Sequence, residues 1–116
     1  MDKKEISHSE LKALIGKSPD LLLIDVRTKE EVDKGKIPGS IHMPVDSVDR
    51  DLALDPAAFQ AKFGVQKPSL DAPELVFHCQ MGRRGALAVE KAQALGFTKA
   101  RNYAGGYKEW SEKAGK

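Results

Sequence analysis

Apolar and polar positions fall in short blocks along this chain, and the period of the blocks switches between that of a helix and that of a strand. Leu11, Leu14 and Ile15 are spaced for one face of a helix. Ser7 and Glu10 ahead of them form a capping box, Ile6 and Leu11 a hydrophobic staple, and Gly16 an end signal. Leu21-Leu22-Leu23-Ile24-Asp25-Val26 is apolar at successive positions instead, as a strand covered on both faces of a parallel sheet should be. Thr28 and Glu31 repeat the capping-box pattern for a short helix that Gly35 stops. Ile37-Pro38-Gly39-Ser40 then places Pro and Gly where a type II turn needs them, before a short strand at Ile41 to Met43.

The second half continues the alternation. A short amphipathic helix is predicted at Asp46 to Leu52, and Asp55-Pro56 starts another that carries Phe59 and Phe63 and ends at Gly64. Val65 to Ala72 reads as a connecting loop, with Pro68 and Pro73 as breakers. An apolar strand runs from Leu75 to Cys79, and a helix from Arg84 to Leu95 is stopped by Gly96. A last strand at Ala100 to Tyr103 leads through Gly105-Gly106 into a closing helix with Tyr107 and Trp110 one turn apart. Strands and helices in this order predict an α/β fold, three-layer, with a central mostly parallel sheet flanked by helices. A chain of 116 residues holds one such domain, so residues 1–116 are expected to form a single unit.

Composition narrows the function classes. Hydrophobic residues make up 41% and charged residues 31%, which argues against disorder, and the longest apolar run, Leu21 to Ile24, is far too short for a membrane span. The start, Met1-Asp2-Lys3-Lys4-Glu5, has no apolar signal core and carries acids that a mitochondrial transit peptide lacks, so the cytosol is the expected compartment. Nineteen basic and 17 acidic residues are spread along the chain, giving a net charge of +2 and no broad basic face for nucleic acid. The basic pair Arg83-Arg84 suits a small anion better than a polymer. The one cysteine, Cys79, excludes an intramolecular disulfide and a cysteine metal cluster, and leaves anything placed on it to an external acceptor.

The candidate chemistry sits around that cysteine. Leu75-Val76-Phe77-His78-Cys79-Gln80-Met81-Gly82-Arg83-Arg84-Gly85 reads as a strand, a tight loop and a helix start. Backbone N–H groups of such a loop converge on an anion, and the two guanidinium groups add to the field. The thiol is therefore expected to ionise more readily than a free cysteine, whose pKa is about 8.5. Without these neighbours Cys79 would read as a small buried hydrophobe. Four residues separate Cys79 from Arg84, whereas cysteine-dependent phosphatases, which share the His78-Cys79 pair, place five there; the shorter ring suits one added sulfur atom better than a phosphoryl group. His78 precedes the nucleophile, but side chains alternate across a strand, so it should point away from Cys79.

Cys79-x-x-Gly82-x-Arg84 at a strand end resembles the active-site loop of the rhodanese family of sulfurtransferases. Leu23-Ile24-Asp25-Val26-Arg27 followed by Ile37-Pro38-Gly39-Ser40-Ile41, and Asn102-Tyr103-Ala104-Gly105-Gly106-Tyr107 with Trp110, resemble the same family, so the likeness covers nearly the whole chain. Small single-domain members of the family from animals are similar also in Pro56-Ala57-Ala58-Phe59-Gln60-Ala61. The resemblance implies that Cys79 attacks the outer sulfur of thiosulfate, releases sulfite and holds a persulfide until a thiol collects the sulfur. Glutathione is the acceptor it implies, with cyanide usable in vitro, and no metal or organic cofactor.

By the same resemblance Arg84 faces the anion, Arg83 is a second and more exposed cation, Gly82 permits the tight curl, and backbone donors from Gln80 to Arg84, Met81 included, meet the charge on sulfur. Asp25 and Arg27 match a family pattern in which the arginine supports the fold through an ion pair, with Glu31 the expected partner. His42 lies in a stretch that the pattern makes structural, and His8 is expected at the surface. The alternatives are a phosphatase or arsenate reductase using the same cysteine, a carrier of sulfur to a protein partner, and a rhodanese-like docking module.

Overall fold

The computed structural model describes residues 5–17, 21–37, 39–71, 75–80 and 83–114. Pro38, Ala72, Pro73, Met81 and Gly82 lie outside the described residues. Five strands, β1 (Glu5–Ile6), β2 (Leu22–Asp25), β3 (Ile41–His42), β4 (Leu75–His78) and β5 (Arg101–Tyr103), form one sheet in the order β1-β5-β4-β2-β3. Every pairing is parallel. The helices are α1 (His8–Lys17), α2 (Lys29–Lys34), α3 (Val48–Asp51), α4 (Pro56–Phe63), α5 (Arg83–Ala94) and α6 (Gly106–Ala114).

Alternation along the central strands sorts the core into two layers. Ile24 on β2 and Leu75 and Phe77 on β4 face one side, with Val48 and Leu52 of the α3 segment, Phe59 of α4, and Ala88, Val89 and Ala92 of α5. Leu23 and Val76, one position along, face the other side, with Ile6, Leu11 of α1, Ile37 and Tyr103; Tyr107 and Trp110 of α6 pack against them. The outcome is the three-layer α/β architecture with helices on both faces.

The local signals hold in detail. Ser7 and Glu10 exchange hydrogen bonds at 3.0 and 3.1 Å at the start of α1. The Thr28–Glu31 box caps α2, and Asp55 caps α4 by accepting from the Ala58 N–H at 2.7 Å. Gly39 has φ 85°, and Ser40 N–H reaches Ile37 O at 3.1 Å, the geometry of a type II turn. Two elements differ from expectation. Residues expected to form one helix from Asp46 to Leu52 split into a 3₁₀ turn at Val45–Ser47 and α3, a tightening common at helix starts. Strand β1, two residues long and half polar, is invisible to any periodicity; it exists because Glu5 and Ile6 pair with Asn102 and Tyr103 on the edge of β5.

The topology picks out one crevice. From β2 the chain moves outward to β3, whereas from β4 it moves the other way to β5, so the strand order reverses between β2 and β4. Ligands of open parallel sheets bind at such a switch, beyond the carboxyl ends of the strands. Cys79 is the first residue past the end of β4.

Candidate active site

The end of β4 is anchored from three sides. Its ladder to β2 continues through Val26 N–H to His78 O at 2.9 Å. On the other side the first turn of α6 reaches under the loop: Tyr107 N–H donates to Cys79 O at 2.8 Å and Lys108 N–H to Gln80 O at 3.1 Å. Peptide planes are trans, so a Cys79 carbonyl aimed at α6 sends the Gln80 N–H in the opposite direction. Gly106 makes this approach possible. A Cβ there would stand 2.5 Å from both Cys79 O and Gln80 O, and its φ is 64°. The Gly105-Gly106 pair thus both packs backbone closely and starts the helix.

The third anchor is Arg27, which is 2% exposed. Its Nε donates to both Asp25 carboxylate oxygens at 3.0 Å, its NH2 to Asp25 Oδ2 and to Gly35 O, both at 2.7 Å, and its NH1 to Gln80 Oε1 at 3.4 Å. The guanidinium plane lies 4.4 Å from the centre of the Tyr107 ring. Arg27 therefore supports the fold as expected, but its partner is Asp25 and not Glu31. Asp25 and Arg27 are two residues apart in extended chain and so share a face, while Glu31 is folded back over its own helix start.

Glu31 pairs instead with Arg84. Arg84 NH1 donates to Glu31 Oε1 at 2.6 Å and NH2 to Oε2 at 3.0 Å, a fork-to-fork ion pair between two half-buried side chains. The Arg84 hydrogen bond holds the Glu31 carboxyl down at about 2, against burial. The same bond raises the Arg84 pKa, and the Cys79 side chain adds to the rise by charge and by its own hydrogen bond to the guanidinium. Cys79 is 1% exposed and packs in the core cluster, so burial alone would fit a small hydrophobe. A cationic arginine in the first turn of the helix that follows its loop is what a structural cysteine lacks.

Of the other expected site residues, Arg83 is exposed at the first position of α5, as the sequence implied, and has no ion pair among the described residues. Gln80 is half-buried, with its side-chain oxygen turned to Arg27 and its carbonyl taken by Lys108 N–H. Met81 and Gly82 lie outside the described residues. His78 is fully buried on the face opposite Cys79, its Nε2 3.8 Å from Asp25 Oδ2 and without a hydrogen-bond partner; burial lowers its pKa and keeps the ring neutral. His42 meets Arg27 O through Nε2 at 2.8 Å, a structural contact. His8 is half-buried rather than exposed, with its ring 5.5 Å from Trp110. Sequence reasoning missed Glu31 as a neighbour of the nucleophile. Its only sequence signal was the capping box, and the 53-residue separation from Arg84 leaves no trace in local pattern.

No helix among the described residues is long and apolar enough to cross a membrane, and no cluster of His, Cys, Asp and Glu among them could hold a metal ion.

Comparison with known proteins agrees with this arrangement. The chain is 48% identical over 108 residues to human thiosulfate:glutathione sulfurtransferase, covering 93% of each chain. It is 36% identical to the Saccharomyces cerevisiae protein of the same name, over 94% of this chain and 78% of that one. The solved structure of the human single-domain sulfurtransferase TSTD1 superposes with a TM-score of 0.89 at 47% identity, over 95% of this chain and 96% of the other. A cysteine at the carboxyl end of the middle strand, backed by an arginine from the next helix, sits inside a stretch, residues 7–113, that matches the rhodanese-like domain, and the chain belongs to that family.

Proposed function

We propose that this chain is a thiosulfate sulfurtransferase that passes sulfur through a persulfide on Cys79 to a small thiol, with glutathione as the acceptor. The observation that carries the reading is Cys79 at the switch point of the sheet, with Arg84 in the first turn of the helix that follows its loop. In the first half-reaction the Cys79 thiolate attacks the outer sulfur of thiosulfate, the sulfur–sulfur bond of the donor breaks, and sulfite leaves with the bonding pair. In the second, the thiolate of the acceptor attacks the outer sulfur of the persulfide, and Cys79 leaves as thiolate, ready for another turnover.

Charge stays on sulfur throughout, and the roles follow from where it develops. Arg84 faces the sulfur anion, and Arg83 draws the incoming donor from solvent. Backbone donors from Gln80 through Met81 and Gly82 to Arg84 meet the terminal sulfur, as an oxyanion hole meets oxygen. The name shared by the human and yeast relatives supports thiosulfate as donor and glutathione as acceptor. A reducing compartment, in our reading the cytosol, suits a chain that works through its one thiol.

Intact-protein mass spectrometry tests the cycle. Incubation with thiosulfate is expected to add one sulfur to the wild type and none to Cys79→Ser, and glutathione is expected to remove it. A gain that glutathione leaves in place would refute the small-thiol acceptor and favour a protein acceptor. No gain from thiosulfate would refute the reading of the donor.

A further inference from the structure

The Glu31 carboxylate accepts four hydrogen bonds at one corner of the site, three of them on Oε1. Oε1 takes the Thr28 N–H at 3.1 Å, the Thr28 hydroxyl at 3.2 Å and Arg84 NH1 at 2.6 Å, while Oε2 takes Arg84 NH2 at 3.0 Å. Thr28 Oγ1 in turn accepts the Glu31 N–H at 3.3 Å, which closes the capping box of α2. Thr28 directly follows Arg27, whose side chain holds Gln80. One carboxylate thus ties the start of α2 to the start of α5 on either side of the nucleophile loop.

A capping box needs only one acceptor oxygen from the residue at its third position, and glutamine serves there as well as glutamate. The second oxygen and the negative charge are surplus to the cap. Both are spent on a bidentate grip that fixes the plane and direction of the Arg84 guanidinium, a side chain that otherwise keeps large rotamer freedom. An arginine held this way has a fixed orientation at the start of α5, next to the loop that carries Cys79. A bidentate pair can add to stability, and its place beside the nucleophile loop gives it the alignment of Arg84 as a further consequence.

We infer that Glu31 is a positioning residue of the sulfur-transfer site, aligning Arg84 on Cys79 through the second oxygen of a capping-box carboxylate. The inference rests on the sulfurtransferase reading above and deepens it. Glu31→Gln is the informative change because it keeps the cap and loses the charge-assisted fork.

The experiment compares the wild type, Glu31→Gln, Arg84→Ala and the double variant in the two half-reactions. Glu31→Gln is expected to lower kcat/KM for thiosulfate about tenfold, the loss expected for one misaligned charge-assisted contact. Its thermal midpoint is expected to fall no further than that of Arg84→Ala, since both variants lose the same ion pair while the cap survives in Glu31→Gln. In the Arg84→Ala background the same change should cost less than about twofold, because a residue that acts through another has nothing left to act on. Glu31→Asp, one methylene shorter, should recover less than half of the lost rate. An undiminished kcat/KM in Glu31→Gln, or an equal loss with and without Arg84, would overturn the inference.

Alkylation of Cys79 by iodoacetamide separates the two readings, because it needs no sulfur donor. If the wild type takes no sulfur from thiosulfate, the functional reading falls, and alkylation decides on Glu31 alone. Slower alkylation in both Glu31→Gln and Arg84→Ala supports the positioning role. Unchanged or faster alkylation in Glu31→Gln overturns it.

Discussion

Tyr107 gives its backbone N–H to the carbonyl oxygen of Cys79 at 2.8 Å, so the last helix of the chain closes on the residue that does the chemistry. That contact depends on Gly106 having no side chain. Gly106→Ala would place a methyl group against two backbone carbonyls that have nowhere to retreat and would strain a residue with φ 64°. We expect a loss of roughly 2–4 kcal/mol, the sum of a left-handed alanine and an overpacked contact. Gly64→Ala is the control: φ is 74° there, but nothing lies within 4 Å of the added carbon, so about 1 kcal/mol is expected. Urea unfolding of the two variants measures both, and equal losses would show that backbone strain alone governs Gly106.

Features set by neighbouring residues were legible in the sequence, and features set by distant ones were not. Capping boxes, end glycines and the type II turn depend on residues within four positions of each other, and Ser7, Thr28, Gly39 and Asp55 all do what local pattern predicted. Continuous apolar runs located β2 and β4, and with them the place of Cys79. What stayed hidden depends on residues far apart in the chain. Glu5 becomes a strand residue only because Asn102 lies beside it. Glu31 becomes a neighbour of the nucleophile only because α2 and α5 meet over the same crevice. The expected Arg27–Glu31 pair failed for a local and a distant reason together: Asp25, two residues back in extended chain, shares a face with Arg27, and Glu31 is taken by Arg84, 53 residues away.

The two adjacent arginines should separate in function. Arg84 is half-buried and bonded to Glu31, while Arg83 is exposed. Arg84→Ala removes a desolvated contact to sulfur and should lower kcat/KM for thiosulfate roughly 30-fold or more, in line with truncation of a charged group at a reacting centre. Arg83→Ala should reduce it by about threefold, and that loss should vanish as ionic strength rises and screens the exposed charge. Steady-state kinetics at low and high salt decide; equal, negligible effects of both changes would remove the anion-binding role from the pair.

Arg27 should prove essential to folding although it is not part of the reaction. Asp25 is fully buried with Arg27 and His78 as its charged or polar neighbours, so Arg27→Ala strands a carboxylate in the core. The expected cost is about 3–5 kcal/mol. Removing both partners in Asp25→Ala/Arg27→Ala should cost clearly less than the two single changes added together, because neither charge is left alone. Denaturant midpoints of the three variants supply the cycle, and strict additivity would mean that the pair does not act as a unit.

Acid should weaken the fold in two separate windows with two separate causes. His78 is buried without a partner for Nε2, and burial lowers its pKa below the ordinary 6.5, with Arg27 opposing its charge and Asp25 favouring it. A group of this kind binds its proton more readily unfolded than folded, so stability is full above 6.5 and declines as the pH falls below that value. Glu31 runs the other way: its carboxyl sits at about 2 instead of 4.5, so the stability it contributes is present above 4.5 and is lost as the pH falls toward 2. His78→Leu should flatten the unfolding free energy between about pH 7 and pH 5 and leave the lower window intact, because the titrating ring is gone while Glu31 keeps Arg84. Glu31→Gln should do the reverse. Urea unfolding from about pH 7 to about pH 2 reads both, and a His78→Leu profile as steep as the wild type near pH 6 would mean that another group carries the first window.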